Sequence, residues 1–226
     1  MKDCFLTKIA VIENGFNEKF GVPRQSGLTP SVESKIIFEK EFRDENMLRG
    51  IEQYSHLWLI FSFSENEDKW APTVRPPKLG GNKRIGVFAT RSPFRPNSLG
   101  LSVVQLVRIE NSEKGKVLVV AGADLVSGTP IFDIKPYLPY VDSVPGAKGG
   151  FSEEHKNDFC EVDFSDEAKF LLTKQELSEL IEILRLNPKP SYKDDENRVY
   201  GLSFKDMNVK FKCTENIIYV IEIRRD

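Results

Sequence analysis

Short runs of β-branched and aromatic residues, separated by Gly, Pro and Asn, dominate the first 150 residues of the chain. These runs cover residues 5–12, 36–38, 56–63, 85–89, 101–109, 117–121 and 131–134. Runs of this length and composition predict strands, and their close spacing predicts a barrel or a sandwich. The sequence has no Gly-x-Gly-x-x-Gly turn leading from a strand into a helix, which argues against a doubly wound dinucleotide fold. We therefore expect a mainly β protein whose main domain, residues 1–150, is either an antiparallel β-barrel or a sandwich.

The last third of the chain has a different composition. Pro145 is followed by three glycines and by an acidic, polar segment that runs to Asp158, which predicts a linker or a long loop. A helical pattern begins at Ser165, and Thr173 and Glu176 have the spacing of a capping box. Residues 209–213 and 217–223 predict a closing hairpin. The sequence thus predicts a small C-terminal α+β unit over residues 165–226.

Charge is segregated along the chain. Residues 69–109, the basic stretch, carry eight basic side chains and no Asp or Glu, although the formal net charge of the chain is −2. The stretch contributes +8, so the rest of the chain sums to −10. A local positive patch attracts phosphate groups while the overall negative charge opposes indiscriminate binding, which favours a selective RNA partner over a general DNA coat. The alternative is that scattered cations only keep the loops soluble.

Composition also excludes several classes of protein. The longest apolar run, residues 57–63, is far shorter than the ~20 residues of a membrane helix. The first eight residues lack the pattern of a secretory signal, so we expect a cytoplasmic protein without membrane contact. Three distant cysteines and two histidines, His56 and His155, provide neither a disulfide framework nor a metal site with paired ligands. No metal is expected, and the thiols are expected to be buried and reduced.

One loop, within residues 89–102, has the composition of a binding site. Its sequence ATRSPFRPNSLGLS combines two prolines and a glycine with the donor-rich side chains of Arg91, Arg95 and Asn97. A stiff loop holds its donors in place, so little entropy is lost when an anionic ligand binds. A rigid connection between barrel strands that carries surface arginines explains the same composition equally well.

A second candidate segment is residues 127–140, in which a turn, a strand and a proline-aromatic loop follow one another. Asp133 and Lys135 alternate with apolar residues, so they share one face of the strand and could form an acid–base pair. An ordinary salt bridge on a half-exposed strand is the commoner explanation. Tyr137 and Tyr140 could stack on a base, although aromatic packing is more frequent.

Several long segments carry a family resemblance. In order along the chain they are KFGVPRQSGL, YSHLWLIFSF, TVRPPKLGGNKRIGVFATRSPFRPNSLGLS, SGTPIFDIKPYLPY, and NPKPSY followed by RVYG. Together they resemble the YaeB/TsaA-like family of tRNA methyltransferases. The resemblance is specific because the segments are long, ordered and spread over nearly the whole chain.

The resemblance implies a β-barrel enzyme that uses S-adenosylmethionine, forms a homodimer, and methylates the exocyclic nitrogen of threonylcarbamoyladenosine beside the tRNA anticodon. It implies a cofactor site made of Asn14, Gly15, Phe16, Ser55, His56, Arg91, Leu101, Leu125, Val126, Ser127 and Gly128. It implies that tRNA and the modified nucleoside contact Arg24, Arg95, Asn97, Lys135, Tyr137, Lys189 and Tyr192, with the C-terminal unit helping to grip the tRNA.

The chain departs from the family pattern at three places. Ser98 and Leu99 replace the usual Pro-Ile after Asn97, and Ser127 stands where Asp is usual before Gly-Thr-Pro. Lys189 and Ser191 replace Arg and Ala in the proline-rich element. Lysine lacks the bidentate fork of arginine, so the change at 189 alters the expected grip on tRNA.

Methyl transfer from a sulfonium is an in-line displacement, in which alignment alone can supply an effective molarity of about 10⁵ M or more. The attacked nitrogen has a carbonyl neighbour and is a poor nucleophile, so a base that removes its proton would help; Asp133 is the candidate. The main rival is a non-catalytic RNA-binding barrel. A hydrolase ranks last, because no nucleophile–histidine–carboxylate set is evident.

Overall fold

The computed structural model describes residues 5–66, 69–80, 83–156, 158–189, 198–214 and 216–225. Its strands are β1 (Ala10–Glu13), β2 (Glu33–Phe38), β3 (His56–Ser62), β4 (Thr73–Val74), β5 (Ile85–Gly86), β6 (Leu99–Ser112), β7 (Gly115–Ala121), β8 (Pro130–Pro136), β9 (Glu161–Phe164), β10 (Val199–Phe204), β11 (Met207–Cys213) and β12 (Ile217–Arg225). Its α-helices are α1 (Pro139–Asp142), α2 (Asp166–Phe170) and α3 (Lys174–Leu184). The prediction of a mainly β protein is confirmed.

Six antiparallel strands form a closed barrel in the order β1-β2-β7-β6-β3-β8. Pairing of Ala10 on β1 with Ile131 on β8 closes the ring. Along β3 the buried residues alternate with partly exposed ones, so Leu57, Leu59 and Phe61 point into the barrel. This period of two is what a strand with one buried face requires.

The C-terminal part of the chain forms a second sheet in the order β10-β11-β12-β9. The predicted hairpin is confirmed, because β11 and β12 pair antiparallel. The capping box is also confirmed at the start of α3: the Thr173 hydroxyl accepts from the Glu176 N–H, and the Glu176 side chain accepts from the Thr173 N–H. In the described residues, no helix has the length and apolarity needed to span a membrane.

The segment between β1 and β2 ties the barrel to this second sheet. Phe16 and Val32 belong to the hydrophobic cluster of the C-terminal unit, and the Phe16 ring packs 5.4 Å from that of Phe204. On α3, the Glu182 carboxylate accepts from the N–H and the hydroxyl of Ser31, at 2.8 and 2.6 Å. Residues that the family resemblance places at the cofactor site are therefore adjacent to the junction between the two units.

Some predicted elements differ from the observed ones. Residues 5–9 precede β1 rather than extend it, because β2 ends at Phe38, the partner of Ala10. The predicted strand 85–89 is wrong beyond Gly86: Val87–Ala89 form a 3₁₀ turn, closed by a hydrogen bond from the Thr90 N–H to the Val87 carbonyl. The sequence analysis does not predict strands β9 and β10, because β9 has only four residues and β10 is interrupted by Gly201.

The cysteine prediction holds in part. Cys213 is buried, whereas Cys160 is only half-buried, and neither forms a disulfide. Burial raises the pKa of the Cys160 thiol, which keeps it protonated near neutrality. Cys4 lies outside the described residues.

Candidate functional site

A cavity of about 620 Å³ opens at one end of the barrel. Three strand ends meet there, because Ser62 at the end of β3 pairs with Leu99 at the start of β6, and Phe61 pairs with Ile131 near the start of β8. The cavity wall includes Arg24, Gln25, Phe61, Phe63, Arg91, Arg95, Gly100, Leu101, Ser102, Asp124, Leu125, Val126 and Thr129. Its volume suits a small-molecule site, and its lining is apolar with a few polar groups, as is usual for such sites.

A buried carboxyl forms part of this wall. The hydroxyl of Ser102, which is 2 % exposed, donates to Asp124 at 2.5 Å, and the backbone N–H of Ser26 also donates to that carboxyl. Burial raises the pKa of Asp124 above its usual value, although these hydrogen bonds and the charge of Arg91 each lower it. The site thus contains a titratable group that the sequence analysis missed. Its only sequence signal is an acidic residue three positions after Ala121, the last residue of β7.

The arginines of the cavity have different environments. Arg91 donates to the Gln25 side chain at 2.6 Å, which links the loop of residues 89–102 to the segment before β2. Arg95 donates to the Thr90 and Val87 carbonyls at 2.7 and 3.3 Å, so it stiffens its own loop. Burial lowers the pKa of Arg24 from its usual value. Arg91 and Arg24 therefore bring positive charge to the cavity, while Arg95 is partly used in holding the loop.

Two of the segments implied as the cofactor site interlock through hydrogen bonds. The Asn14 side-chain amide donates to the Leu125 carbonyl at 2.9 Å, and the Ser127 N–H donates to the Phe16 carbonyl at 2.9 Å. The Gly128 N–H donates to Ile12 at 2.7 Å. Leu125 and Val126 reach the cavity from this junction.

Phe16 and Gly15, the other two members of the first segment, have packing roles behind the cavity. Phe16 is 1 % exposed and its ring lies in the core of the C-terminal unit. Gly15 packs so closely that an added Cβ would lie 2.7 Å from atoms of both Phe204 and Lys205. Neither residue is among the described residues that line the cavity, so the structure does not bring these two predicted cofactor residues to it.

Ser55 and His56 lie at the other end of the barrel. His56 is five residues from Phe61 along β3, which corresponds to roughly 16 Å. The Ser55 hydroxyl is 2.9 Å from His56 Nδ1, and the His56 ring meets the edge of Tyr137 at 6.2 Å. Trp58 donates to Asp142 at 2.9 Å beside them. The residues implied for the cofactor therefore form two separate groups in the chain.

Asp133 and Lys135 share the outer face of β8, as predicted. Their side chains form an ion pair at 3.0 Å, and the Asp133 side chain is 45 % exposed. Asp133 pairs across the sheet with Ile60, whose side chain points out of the barrel. It is not among the described residues that line the cavity.

The remaining predicted contacts are scattered. Asn97 lines a smaller depression of about 280 Å³ with Phe88, Arg95, Pro96 and Leu99. Lys189 follows α3, and Tyr192 lies outside the described residues. Within the described part of the chain, no three His, Cys, Asp or Glu side chains are grouped as metal ligands.

Arg108 lies in the basic stretch but is not available to bind an anionic partner. Its guanidinium donates to both carboxylate oxygens of Glu33, at 2.7 and 2.9 Å, and lies 2.8 Å from Glu110. The stretch has no acidic residue of its own, but β2 and the following part of β6 supply these two. The local positive charge is therefore smaller than the sequence count indicates.

The structure is therefore that of a closed-barrel protein with a mixed apolar and cationic cavity. Comparison with known families is more specific: residues 11–143 match the tRNA-methyltransferase O N-terminal domain, and residues 157–226 match the TrmO C-terminal domain. The chain belongs to the tRNA-methyltransferase O family, which confirms the resemblance seen in the sequence.

Relatives agree over most of the chain. The tRNA (adenine(37)-N6)-methyltransferase of Escherichia coli (strain K12) is 40 % identical over 217 residues, covering 92 % of both chains. The human protein of the same name is 38 % identical over 138 residues, which are 60 % of this chain and 30 % of that protein. A crystal structure of TrmO from Pseudomonas aeruginosa superposes with a TM-score of 0.80 at 30 % identity, covering 99 % of this chain and all of that one.

Proposed function

We propose that the protein is an S-adenosylmethionine-dependent methyltransferase that modifies the exocyclic nitrogen of adenine 37, carried as threonylcarbamoyladenosine, beside the anticodon of tRNA. The E. coli relative bears the name of this activity, and a Pseudomonas aeruginosa relative, 40 % identical over 228 residues, is named a putative S-adenosylmethionine-dependent methyltransferase. The observation that carries the proposal is that Arg91, Leu101, Leu125 and Val126, far apart in sequence, line one cavity.

The cavity fits the cofactor in size and in chemistry. Its volume of about 620 Å³ lies within the range of sites that enclose small organic molecules. Leu101, Leu125 and Val126 offer apolar contacts to the nucleoside, and Arg91 offers a donor for the carboxylate. The bound cofactor supplies an activated methyl group on a sulfonium. The protein then has to align the adenine nitrogen with that methyl group, exclude water and accept a proton.

A homodimer is part of the proposal. On one protomer, Ser55 and His56 lie at the opposite barrel end from Arg91, so the two groups can reach a single ligand only if a second copy contributes one of them. Leu101, which lines the cavity, and Phe88 and Phe94 on the neighbouring chain segment are exposed apolar side chains that would be covered in a dimer. Mixing inactive His56→Ala and Arg91→Gln subunits should restore part of the activity. A mixture as inactive as its components would contradict the shared site.

The two sequence-defined units have separate roles in this proposal. Residues 1–150 bind the cofactor, and residues 165–226, with Lys189 and Tyr192, help to grip tRNA alongside Arg24, Arg95, Asn97, Lys135 and Tyr137. Arg75 and Arg108 provide a matched test of the basic stretch, since Arg75 is exposed and Arg108 is neutralised by Glu33 and Glu110. Arg75→Gln should reduce the slope of log affinity for tRNA against log salt by about 1, whereas Arg108→Gln should leave it unchanged. A slope that Arg75→Gln leaves unchanged would contradict the role of the stretch as the RNA platform.

Calorimetric titration with S-adenosylmethionine separates this proposal from a non-catalytic RNA-binding barrel. The wild-type protein should bind the compound, and Arg91→Gln should weaken binding at least tenfold. Arg49→Gln is the control, because Arg49 is an exposed arginine after the turn Glu45–Leu48 and bonds Asn46 instead of lining the cavity. A folded wild-type protein that gives no binding heat would leave only the RNA-binding alternative.

A further inference from the structure

We propose that Asp124, positioned by Ser102, accepts the proton that leaves the exocyclic nitrogen during methyl transfer. The inference rests on the proposed function and assigns a catalytic residue to it. Among the described residues that line the cavity, the carboxyl groups are those of Asp124 and Glu65. Glu65 is exposed to solvent, whereas Asp124 is held against the barrel wall.

The backbone around Asp124 is fixed by two neighbouring segments. Gly122 donates to the Val32 carbonyl at 3.2 Å, and the Gly27 N–H donates to the Gly122 carbonyl at 2.7 Å. Gly122 has φ +77°, and an added Cβ would lie 3.1 Å from Cα of Gly27, so the two chain segments are in close contact. The carboxyl group therefore has a defined position at the cavity wall.

Ser102 orients the carboxyl group itself. Ser102 lies on β6 between Leu101 and Val103 and is buried, while its hydroxyl donates to Asp124 at 2.5 Å. The Ser102 hydroxyl, the Ser26 N–H and the N–H of Asp124 itself donate to the carboxyl group, and a carboxylate has about four lone-pair directions in total. The group therefore retains the capacity to accept a proton from a ligand in the cavity.

The surroundings of Asp124 also suit a base. Its pKa is raised by burial, and a carboxyl with a raised pKa binds a proton more tightly and is a stronger base than an ordinary one. Arg91 is the charged side chain acting on it, and its positive charge limits the rise of the pKa. Arg24, Arg95 and Lys19 add further positive charge around the cavity, and Glu65 adds a negative one.

The proton balance of the step is complete. The nitrogen forms a bond to the methyl carbon while the carbon–sulfur bond breaks, and the electron pair of that bond stays on sulfur, which becomes a neutral thioether. The N–H proton passes to the Asp124 carboxylate, and the neutral carboxylic acid returns it to water after the product leaves. Asp133 is less suited to this step, since its exposed side chain is paired with Lys135 outside the cavity.

Single-turnover methylation by Asp124→Asn tests the assignment. Asparagine keeps the size of the side chain and can still accept from Ser102, but it cannot take up the proton. We expect the rate to fall at least 100-fold, within the range for loss of a general base, while S-adenosylmethionine and tRNA affinities stay within threefold of wild type. Asp44→Asn is the control, because Asp44 caps the turn Glu45–Leu48 and asparagine is an equally good cap. Asp133→Asn is measured in parallel.

The outcomes are distinguishable. Asp124→Asn methylating within threefold of wild type overturns the assignment, as does a greater loss in Asp133→Asn. A tenfold or larger loss of cofactor affinity in Asp124→Asn shows instead that the carboxylate holds the cofactor. If the wild-type protein itself transfers no methyl group, the proposed function fails, whatever the role of Asp124.

A second variant and a spectroscopic readout cover the case in which Asp124→Asn does not fold. Ser102→Ala removes a hydrogen bond that lowers the pKa of Asp124. The acid limb of the pH–rate profile should therefore move to higher pH, and the carbon-13 carboxyl resonance of Asp124 should titrate at the same higher pH. An unmoved limb together with a shifted resonance would show that the limb does not report Asp124.

Discussion

Gly100 allows a close packing contact with Phe61 beside the cavity, and replacing it with alanine tests whether this contact shapes the site. A Cβ at position 100 would lie 2.2 Å from Cζ and 2.3 Å from Cε2 of the Phe61 ring. Carbon atoms pack best at about 3.5–4.0 Å, so the ring has to move by more than about 1 Å. Phe61 is 2 % exposed and its ring meets Phe63 at 5.2 Å, which leaves it little room to move.

Overpacking of this kind costs about 1–3 kcal/mol. For a chain of this size each kcal/mol lowers Tm by about 2–4 °C, which can be followed by circular dichroism. Because Phe61 and Gly100 both line the cavity, we also expect weaker binding of S-adenosylmethionine. Adding Phe61→Leu should recover part of the loss, with an interaction free energy of about 0.5–3 kcal/mol.

Gly201→Ala is the matched control for this substitution. Gly201 also lies within a strand, β10, and a Cβ added there would have no heavy atom of the described residues within 4 Å, apart from its two chain neighbours. We expect a change of no more than about 0.5 kcal/mol for this variant. The reasoning is refuted if Gly100→Ala is as stable as Gly201→Ala, or if Phe61→Leu adds its own cost without any recovery.

Three further predictions concern stability. Thr173→Ala removes the hydroxyl that caps α3 by accepting from the Glu176 N–H, and it should lower the free energy of unfolding in urea by about 1 kcal/mol. An unchanged free energy of unfolding would contradict the capping role. Lys205→Met leaves the buried Glu179, 3 % exposed, without its cation; the cost should be about 2 kcal/mol, less than the ~3–5 kcal/mol of a fully buried pair, because Lys205 is 38 % exposed. The double variant with Glu179→Gln should be more stable than Lys205→Met alone. The pKa of Asp124 is raised in the folded protein, so its protonated carboxyl stabilises the fold. This contribution to the free energy of unfolding is fully present below the unfolded pKa of about 3.9. It is lost as the pH rises through the folded pKa. The urea midpoint of Asp124→Asn should therefore rise relative to that of wild type as the pH increases from 4 to 8. If the midpoint of the variant minus that of wild type stayed constant or fell over this range, the raised pKa would be contradicted.

Sequence patterns predict those elements whose stability is local or follows a simple period. The alternation of β3 and the capping box at Thr173 are of this kind. The sequence predicts a strand at Val87–Ala89 because Val and Phe favour extended structure. In the structure the Val87 N–H instead donates to the Pro72 carbonyl, and the chain turns at Thr90. Contacts made by distant residues decide that segment, and no local pattern records them.

The candidate site shows the same limit more clearly. Sequence alone identifies Arg91 and His56 as members of one family pattern, but the antiparallel register places them at opposite ends of the barrel. Asp124 is an unremarkable acidic residue in the sequence and becomes notable only through the buried Ser102 hydroxyl and the cavity. Arg108 counts as a free cation until Glu33 is found beside it.

The central claim is that this protein transfers a methyl group to the adenine beside the anticodon. Purified protein can be incubated with S-adenosylmethionine carrying a deuterated methyl group and with tRNA that contains threonylcarbamoyladenosine, and the digested nucleosides analysed by mass spectrometry. We predict one labelled methyl group, on the exocyclic nitrogen of that nucleoside. Protein that binds both compounds and leaves the nucleoside unlabelled would contradict the claim.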